Sequence, residues 1–143
     1  MNKKIILIPI VLILTIIIVS FSSNETSNEN NTLFHVTLAD PNLYVDGIYS
    51  EVLSIDKGEY FFRFVPNGSS PEVLSVTING DEFHFSENYN LIGSPHQTEI
   101  SEYFTWKYDG QKTIQISEMQ EMTITINPNG KTLGSVSVYI LEN

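Results

Sequence analysis

From Leu33 onward, apolar residues return at every second position, in short runs broken by Gly, Pro, Asn and Asp, and no stretch holds the 3.6-residue period of a helix. Side chains alternate faces along a strand, so each run has one face to bury. The predicted strands are Leu33 to Leu38, Tyr49 to Ile55, Glu59 to Val65, Val73 to Ile78, Glu82 to Phe85, Glu102 to Tyr108, Lys112 to Ile116, Met122 to Ile126 and Ser135 to Leu141. Short strands with frequent turn signals predict an all-β domain. The expected fold is an antiparallel β-sandwich, jelly-roll or Ig-like, of about eight or nine strands following an N-terminal hydrophobic helix.

Registers follow from the demand for one apolar face. A two-residue turn at Asn79-Gly80 pairs Val76 with Phe83 and Leu74 with Phe85. A three-residue loop, Asp109 to Gln111, pairs Trp106 with Ile114 and Phe104 with Ile116, whereas a two-residue turn there would oppose Lys107 to Lys112. Met122, Ile124 and Ile126 face inward, as do Val136, Val138 and Ile140, with Asn127-Pro128-Asn129-Gly130 as the turn between the two strands. The run Tyr60 to Phe64 is apolar on both faces except at Arg63, which predicts a central strand.

Ahead of this domain, Lys3 and Lys4 precede the apolar run Ile5 to Val19, a positive n-region followed by a targeting segment. Residues 1–21 read as a signal anchor or a signal peptide, 22–32 as a flexible polar spacer (SSNETSNENNT from Ser22), and 33–143 as the sandwich domain. Isoleucines filling the segment to its end favour the anchor, while Ser20-Phe21-Ser22 supplies small residues for cleavage around a bulky Phe21. The membrane is thus an expected partner through Ile5–Val19. The expected location is the cell membrane, single-pass with the C-terminal domain outside, or secreted if the leader is cleaved. Asn24-Glu25-Thr26, Asn30-Asn31-Thr32 and Asn67-Gly68-Ser69 are glycosylation triplets, of the kind that an Asn- and Ser-rich spacer also generates by composition alone.

Charge and residue content exclude several classes of function. The net charge is -10, and two of the 7 basic residues lie in the leader, so the exported part repels phosphate backbones and nucleic acid is not an expected partner. With 0 cysteines there is no disulfide, thiolate metal site, cysteine nucleophile or lipid attachment through cysteine. His84 shares a strand face with Glu82 and lies near Asp81, yet reads as an exposed strand residue; His35 points away from Phe34 and Val36. No His-x-x-x-His spacing occurs, and no metal or other cofactor is expected. Asp81, Glu82, Glu87, Glu102 and Asp109 flank turns and strand ends without a glycosidase or protease motif, and Ser54-Ile55-Asp56-Lys57 lacks the companion elements of a Ser-x-x-Lys enzyme.

The segment Ser86 to Ser101 reads as a connection longer than most hairpin loops, and long ordered loops on rigid scaffolds carry binding sites. Asn88, Tyr89, Asn90, His96 and Tyr103 are the candidate ligand-binding residues, rings for stacking and amides for hydrogen bonds. The alternative is a crossover between sheets whose Leu91 and Ile92 plug one end of the core.

The runs Gly58-Glu59-Tyr60-Phe61-Phe62-Arg63-Phe64 and Ser135-Val136-Ser137-Val138-Tyr139 resemble strands of small extracytoplasmic sandwiches of the GOLD type. The resemblance covers two strands and implies a binding or cargo-contact module beside a membrane anchor. In that family the helix follows the domain and a disulfide is common; here the apolar segment precedes it and cysteine is absent, so no residue role carries over. The expected function is a non-catalytic binding or interaction module for an envelope protein or a glycan. The alternatives are a structural or assembly subunit pairing through an edge strand and, third, a hydrolase.

Overall fold

A computed structural model describes residues 32–143. The expected leader and nearly all of the spacer lie outside the described residues. Among the described residues nine strands form: β1 (Thr32–Leu38), β2 (Tyr49–Ile55), β3 (Gly58–Pro66), β4 (Val73–Asn79), β5 (His84–Gln97), β6 (Glu102–Asp109), β7 (Thr113–Ile116), β8 (Gln120–Asn127) and β9 (Val136–Glu142). A 3-10 turn, Pro41–Leu43, is capped by Asp40, whose carboxylate accepts from the Asn42 amide at 2.9 Å. Among the described residues no helix is long and apolar enough to cross a membrane.

Two antiparallel sheets form, one ordered β1-β9-β3-β7 and the other β2-β8-β4-β5-β6. The chain changes sheet at most connections. Within one sheet, only β4, β5 and β6 follow one another as neighbours. β3 lies between β9 and β7, the central place its two-sided apolar pattern predicts.

The inward rows meet in one core. β4 contributes Leu74, Val76 and Ile78, β8 contributes Met122, Ile124 and Ile126, and β9 contributes Val136, Val138 and Ile140, all buried. Aromatic rings bridge the sheets at the other side of the core: Phe62 packs on Phe85 with centroids 5.3 Å apart, and Phe64 packs on Tyr89 at 4.5 Å and on Tyr108 at 5.3 Å.

Two sequence-based registers are corrected. In the β4–β5 hairpin Ile78 pairs with Phe85, Val76 with Glu87 and Leu74 with Tyr89, so the turn residues are Asp81 and Glu82 rather than Asn79 and Gly80. The pairing moves by an even number of residues, so Leu74, Val76, Ile78 and Phe85 keep their inward face. Gly80 is not in the left-handed region that an Asn-Gly turn requires. Its missing side chain instead admits Gln120, whose Oε1 lies 2.2 Å from where a Cβ would stand.

The second correction concerns β6 and β7, which form no hairpin: β6 pairs with β5, and β7 pairs with β3 in the other sheet. Gly110 to Lys112 carry the chain across, and three extended residues reach about 10 Å, the spacing of packed sheets. The crossing is tied at both ends, since the Tyr89 hydroxyl donates to the Gln111 carbonyl and the Phe62 amide donates to the Lys112 carbonyl at 2.8 Å. Ile114 and Ile116 still face the core, as expected, but against the opposite sheet from Trp106. β8 and β9 lie in different sheets, and the expected turn stands between them, with Asn129 and Gly130 at φ of 53° and 87°.

Ile124 is fully buried mid-strand in β8, so Ile124→Ala leaves a cavity between the sheets. The expected loss is about 2–5 kcal/mol of unfolding free energy, read from guanidinium denaturation.

Candidate functional site

β5 is 14 residues long and does two jobs. From His84 to Asn90 it pairs with β4; from Asn90 to Gln97 it pairs with β6. Beyond Leu91 and Tyr108 the β5–β6 pair has no further strand beside it and runs out as a two-stranded arm. The arm closes at Thr98–Ser101, where the Thr98 amide donates to the Ser101 carbonyl at 2.8 Å and the Ser101 amide donates to Thr98 Oγ1 at 3.0 Å.

The expected loop Ser86–Ser101 is therefore strand as far as Gln97, followed by a tight turn. Neither face of a two-stranded arm is buried, so its residues carry no apolar alternation, and Gly93 and Pro95 read as breakers. Both have places in the strand. The register turns the backbone of residue 95 away from β6 toward open solvent, where proline forfeits no ladder bond. At Gly93 the Trp106 ring occupies the space of a side chain, 2.7 Å from a Cβ position, and the same indole lies 3.4 Å from the Cβ position of Gly68. Trp106 thus pins the base of the arm to the loop after β3.

Four of the five candidate residues share the outward face. Asn88, Asn90 and His96 alternate along β5, and Tyr103 stands directly opposite His96 on β6. The His96 and Tyr103 rings stack at 5.0 Å with an interplanar angle of 16°, and His96 Nε2 lies 2.9 Å from Thr105 Oγ1. Asn88 Oδ1 accepts from Ser75 Oγ at 2.6 Å, and Asn90 Nδ2 donates to the Asn88 carbonyl at 3.5 Å. These residues form a strip and not a pocket: eight strand steps separate Asn88 from His96, about 27 Å. Tyr89 has the other parity and is fully buried among Phe62 and Phe64, so its ring belongs to the core and not to a ligand surface.

The arm's other face carries aromatic residues whose alternation predicts a buried hairpin. Phe104 and Trp106 stack at 5.8 Å, with Pro95 opposite Phe104, and Phe104 is 49% exposed. Ile100 at the tip is 96% exposed. Their spacing, Phe104-x-Trp106 in one strand, was the available signal; what was absent was the knowledge that no second sheet covers them.

The remaining candidates for chemistry stand apart. His84 Nδ1 pairs with Asn79 Oδ1 at 2.6 Å, and His35 stacks on Tyr139 at 4.1 Å on the outer face of the four-stranded sheet. Among the described residues no group of three or more His, Cys, Asp or Glu could hold a metal ion. No family model, no curated protein and no solved structure matches the chain.

The tyrosines at the arm's base give the domain an alkaline limit. Burial pushes the phenols of Tyr89 and Tyr108 well above their usual range, and the nearby Glu87 carboxylate adds to the effect at Tyr89. Between an ordinary unfolded value near 10 and the raised folded values, the unfolded chain binds fewer protons than the folded one. Stability should be complete below about pH 10 and fall as pH rises beyond it. Urea denaturation across that range checks this, with a shallower decline expected for Tyr89→Phe.

Proposed function

We propose that this chain is a membrane-tethered extracytoplasmic β-sandwich that acts as a non-catalytic binding module for an envelope protein or a glycan, contacting it through the β5–β6 arm. The observation that carries the reading is the arm itself. It holds aromatic and aliphatic side chains in a fixed extended ladder outside the core, with Tyr103 at 51% and Phe104 at 49% exposure. Clustered exposed aromatics on a rigid element are an expensive way to build a surface unless something covers them.

The direction of the arm fits a tether. Thr32 stands level with Leu141 and Phe61 at one end of the four-stranded sheet, whereas Trp106 packs beside Gly68, past Pro66 at the other end. The arm therefore extends away from the end where the chain enters β1. The strand orders favour a jelly roll with β6 added at an edge, because β1 and β2 lie in different sheets, where an Ig-like fold would pair its first two strands.

With full-length protein, retention on isolated envelope material should fall about ten-fold or more for Tyr103→Ala combined with Phe104→Ala, while the thermal midpoint stays put. Unchanged retention, or no retention of the parent chain, would remove the reading.

A second reading, assembly through an edge strand, has its own observation. In the β4–β5 register the backbone groups of His84, Ser86 and Asn88 turn away from β4, and in the β3–β7 register those of Thr113 and Gln115 turn away from β3. These two edges border a cleft of about 500 Å³ lined in part by His84, Ser86, Thr113 and Gln115. If the chain self-associates there, Ser86→Pro should abolish concentration-dependent association in sedimentation runs, because it removes only an outward donor. A parent chain that is monomeric at all concentrations counts against this reading.

A further inference from the structure

The outward face of the five-stranded sheet has a composition that solubility does not explain. Three rows cross it in register: Val52, Thr123, Asn79 and His84; then Ser50, Thr125, Thr77 and Ser86; then Asn127, Ser75 and Asn88. Apart from Val52 and His84, every side chain in them ends in a hydroxyl or an amide. No carboxylate or ammonium stands in these rows, although the chain has 17 acidic and 7 basic residues. Of the acids in the strands that carry these rows, Glu51 and Glu87 sit opposite Ile124 and Val76 on the other parity, and Glu121 shares the outward parity one pair beyond the rows, opposite Ser54. A sheet face that only met water would be served as well by lysine and glutamate.

The field is ordered before any ligand arrives. Ser75 Oγ donates to Asn88 Oδ1 at 2.6 Å, Asn129 Nδ2 donates to Ser75 Oγ at 3.1 Å and to the Val73 carbonyl at 3.0 Å, and Thr77 and Ser86 hydroxyls lie 3.3 Å apart. Each group spends part of its capacity on a neighbour and keeps the rest for what lies above the sheet. Along β5 the same face continues through Asn90, Ile92 and Ser94, with Asp109 and Lys107 opposite the first two on β6, to the stacked His96 and Tyr103 rings.

From this placement, and resting on the binding reading above, we infer that the outer face of the five-stranded sheet binds a neutral polysaccharide, its hydroxyls meeting the Ser, Thr and Asn rows and its chain leading onto Tyr103. Charge decides the ligand class. Covering a neutral polar face costs far less desolvation than covering ion pairs. No cation stands in the rows, Lys107 on the continuing face lies two residues from Asp109 on that same face, and the chain's net charge of -10 repels a sulfated or carboxylated glycan. A protein partner would need an apolar centre, and Val52 is the one aliphatic side chain in the rows. Hydroxyls recur across the sheet at the strand spacing of about 4.8 Å, the scale of a single sugar ring.

The test is affinity electrophoresis and sedimentation of full-length protein with neutral probes (a linear β-glucan, a mannan and chitin) and an anionic one (heparin). Retention is expected on a neutral probe, with no change between low and high salt. Thr77→Val combined with Thr125→Val keeps side-chain shape and strand propensity, and should weaken retention about five-fold or more at an unaltered thermal midpoint. Retention on heparin alone, on none of the probes, or undiminished in the double valine variant overturns the inference. If envelope retention still depends on Tyr103 and Phe104 while no neutral probe is held, the binding reading survives and the polysaccharide falls; if neither pair of substitutions changes anything, both fall.

Discussion

The packing of Phe62 and Phe64 from β3 against Phe85, Tyr89 and Tyr108 from β5 and β6 joins the two sheets at the side of the molecule from which the arm departs. With no cysteine in the chain, no disulfide holds one sheet to the other. The rings supply large buried area, and two of them add a directed bond: the Tyr108 hydroxyl donates to the Pro71 carbonyl at 2.5 Å, and that of Tyr89 to the carbonyl of Gln111. Each hydroxyl reaches a loop that crosses between sheets, so the cluster fixes the connections as well as the layers. A buried serine repeats the device at the same end, where Ser70 Oγ accepts from the Asn67 amide at 2.9 Å and donates to the Ser135 carbonyl at 2.5 Å.

The arm inherits its rigidity from that cluster. Tyr89 and Tyr108 stand where β5 and β6 leave the core, and Trp106, seated over Gly93 and beside Gly68, extends the anchorage by another pair of residues. Past that point the ladder bonds and cross-strand stacking alone maintain the strands, which is enough to present side chains but not to bury them. The same division explains the outer face. Strands whose inner rows carry the folding energy are free to choose their outer rows, and here the choice is uncharged and hydrogen-bonded across strands.

The alternation of Met122 to Ile126 and of Val136 to Ile140 was sufficient to place their inward faces, because burial acts on each strand separately and leaves its mark at every second residue. Asn88, Asn90, His96 and Tyr103 were legible as candidates because amides and rings gathered in one polar segment, yet Tyr89 could not be told from them: parity relative to a core is meaningless until the segment is known to be strand. Phe104 and Trp106 failed in the opposite sense. Their strand pattern is plain, but the sheet that such a pattern implies over them lies elsewhere.

Strand number, the boundaries of β2 and of most other strands, and the all-antiparallel character are properties of local pattern, and the sequence alone determined them. Which strand lies beside which was decided only by tertiary structure. A run such as Lys112 to Ile116 satisfies its inward face equally well beside β6 or beside β3, since both offer apolar neighbours, and local pattern is indifferent between them. Closing two sheets over one core selects among such pairings, and in doing so it left half of β5 and of β6 with no second layer to cover them.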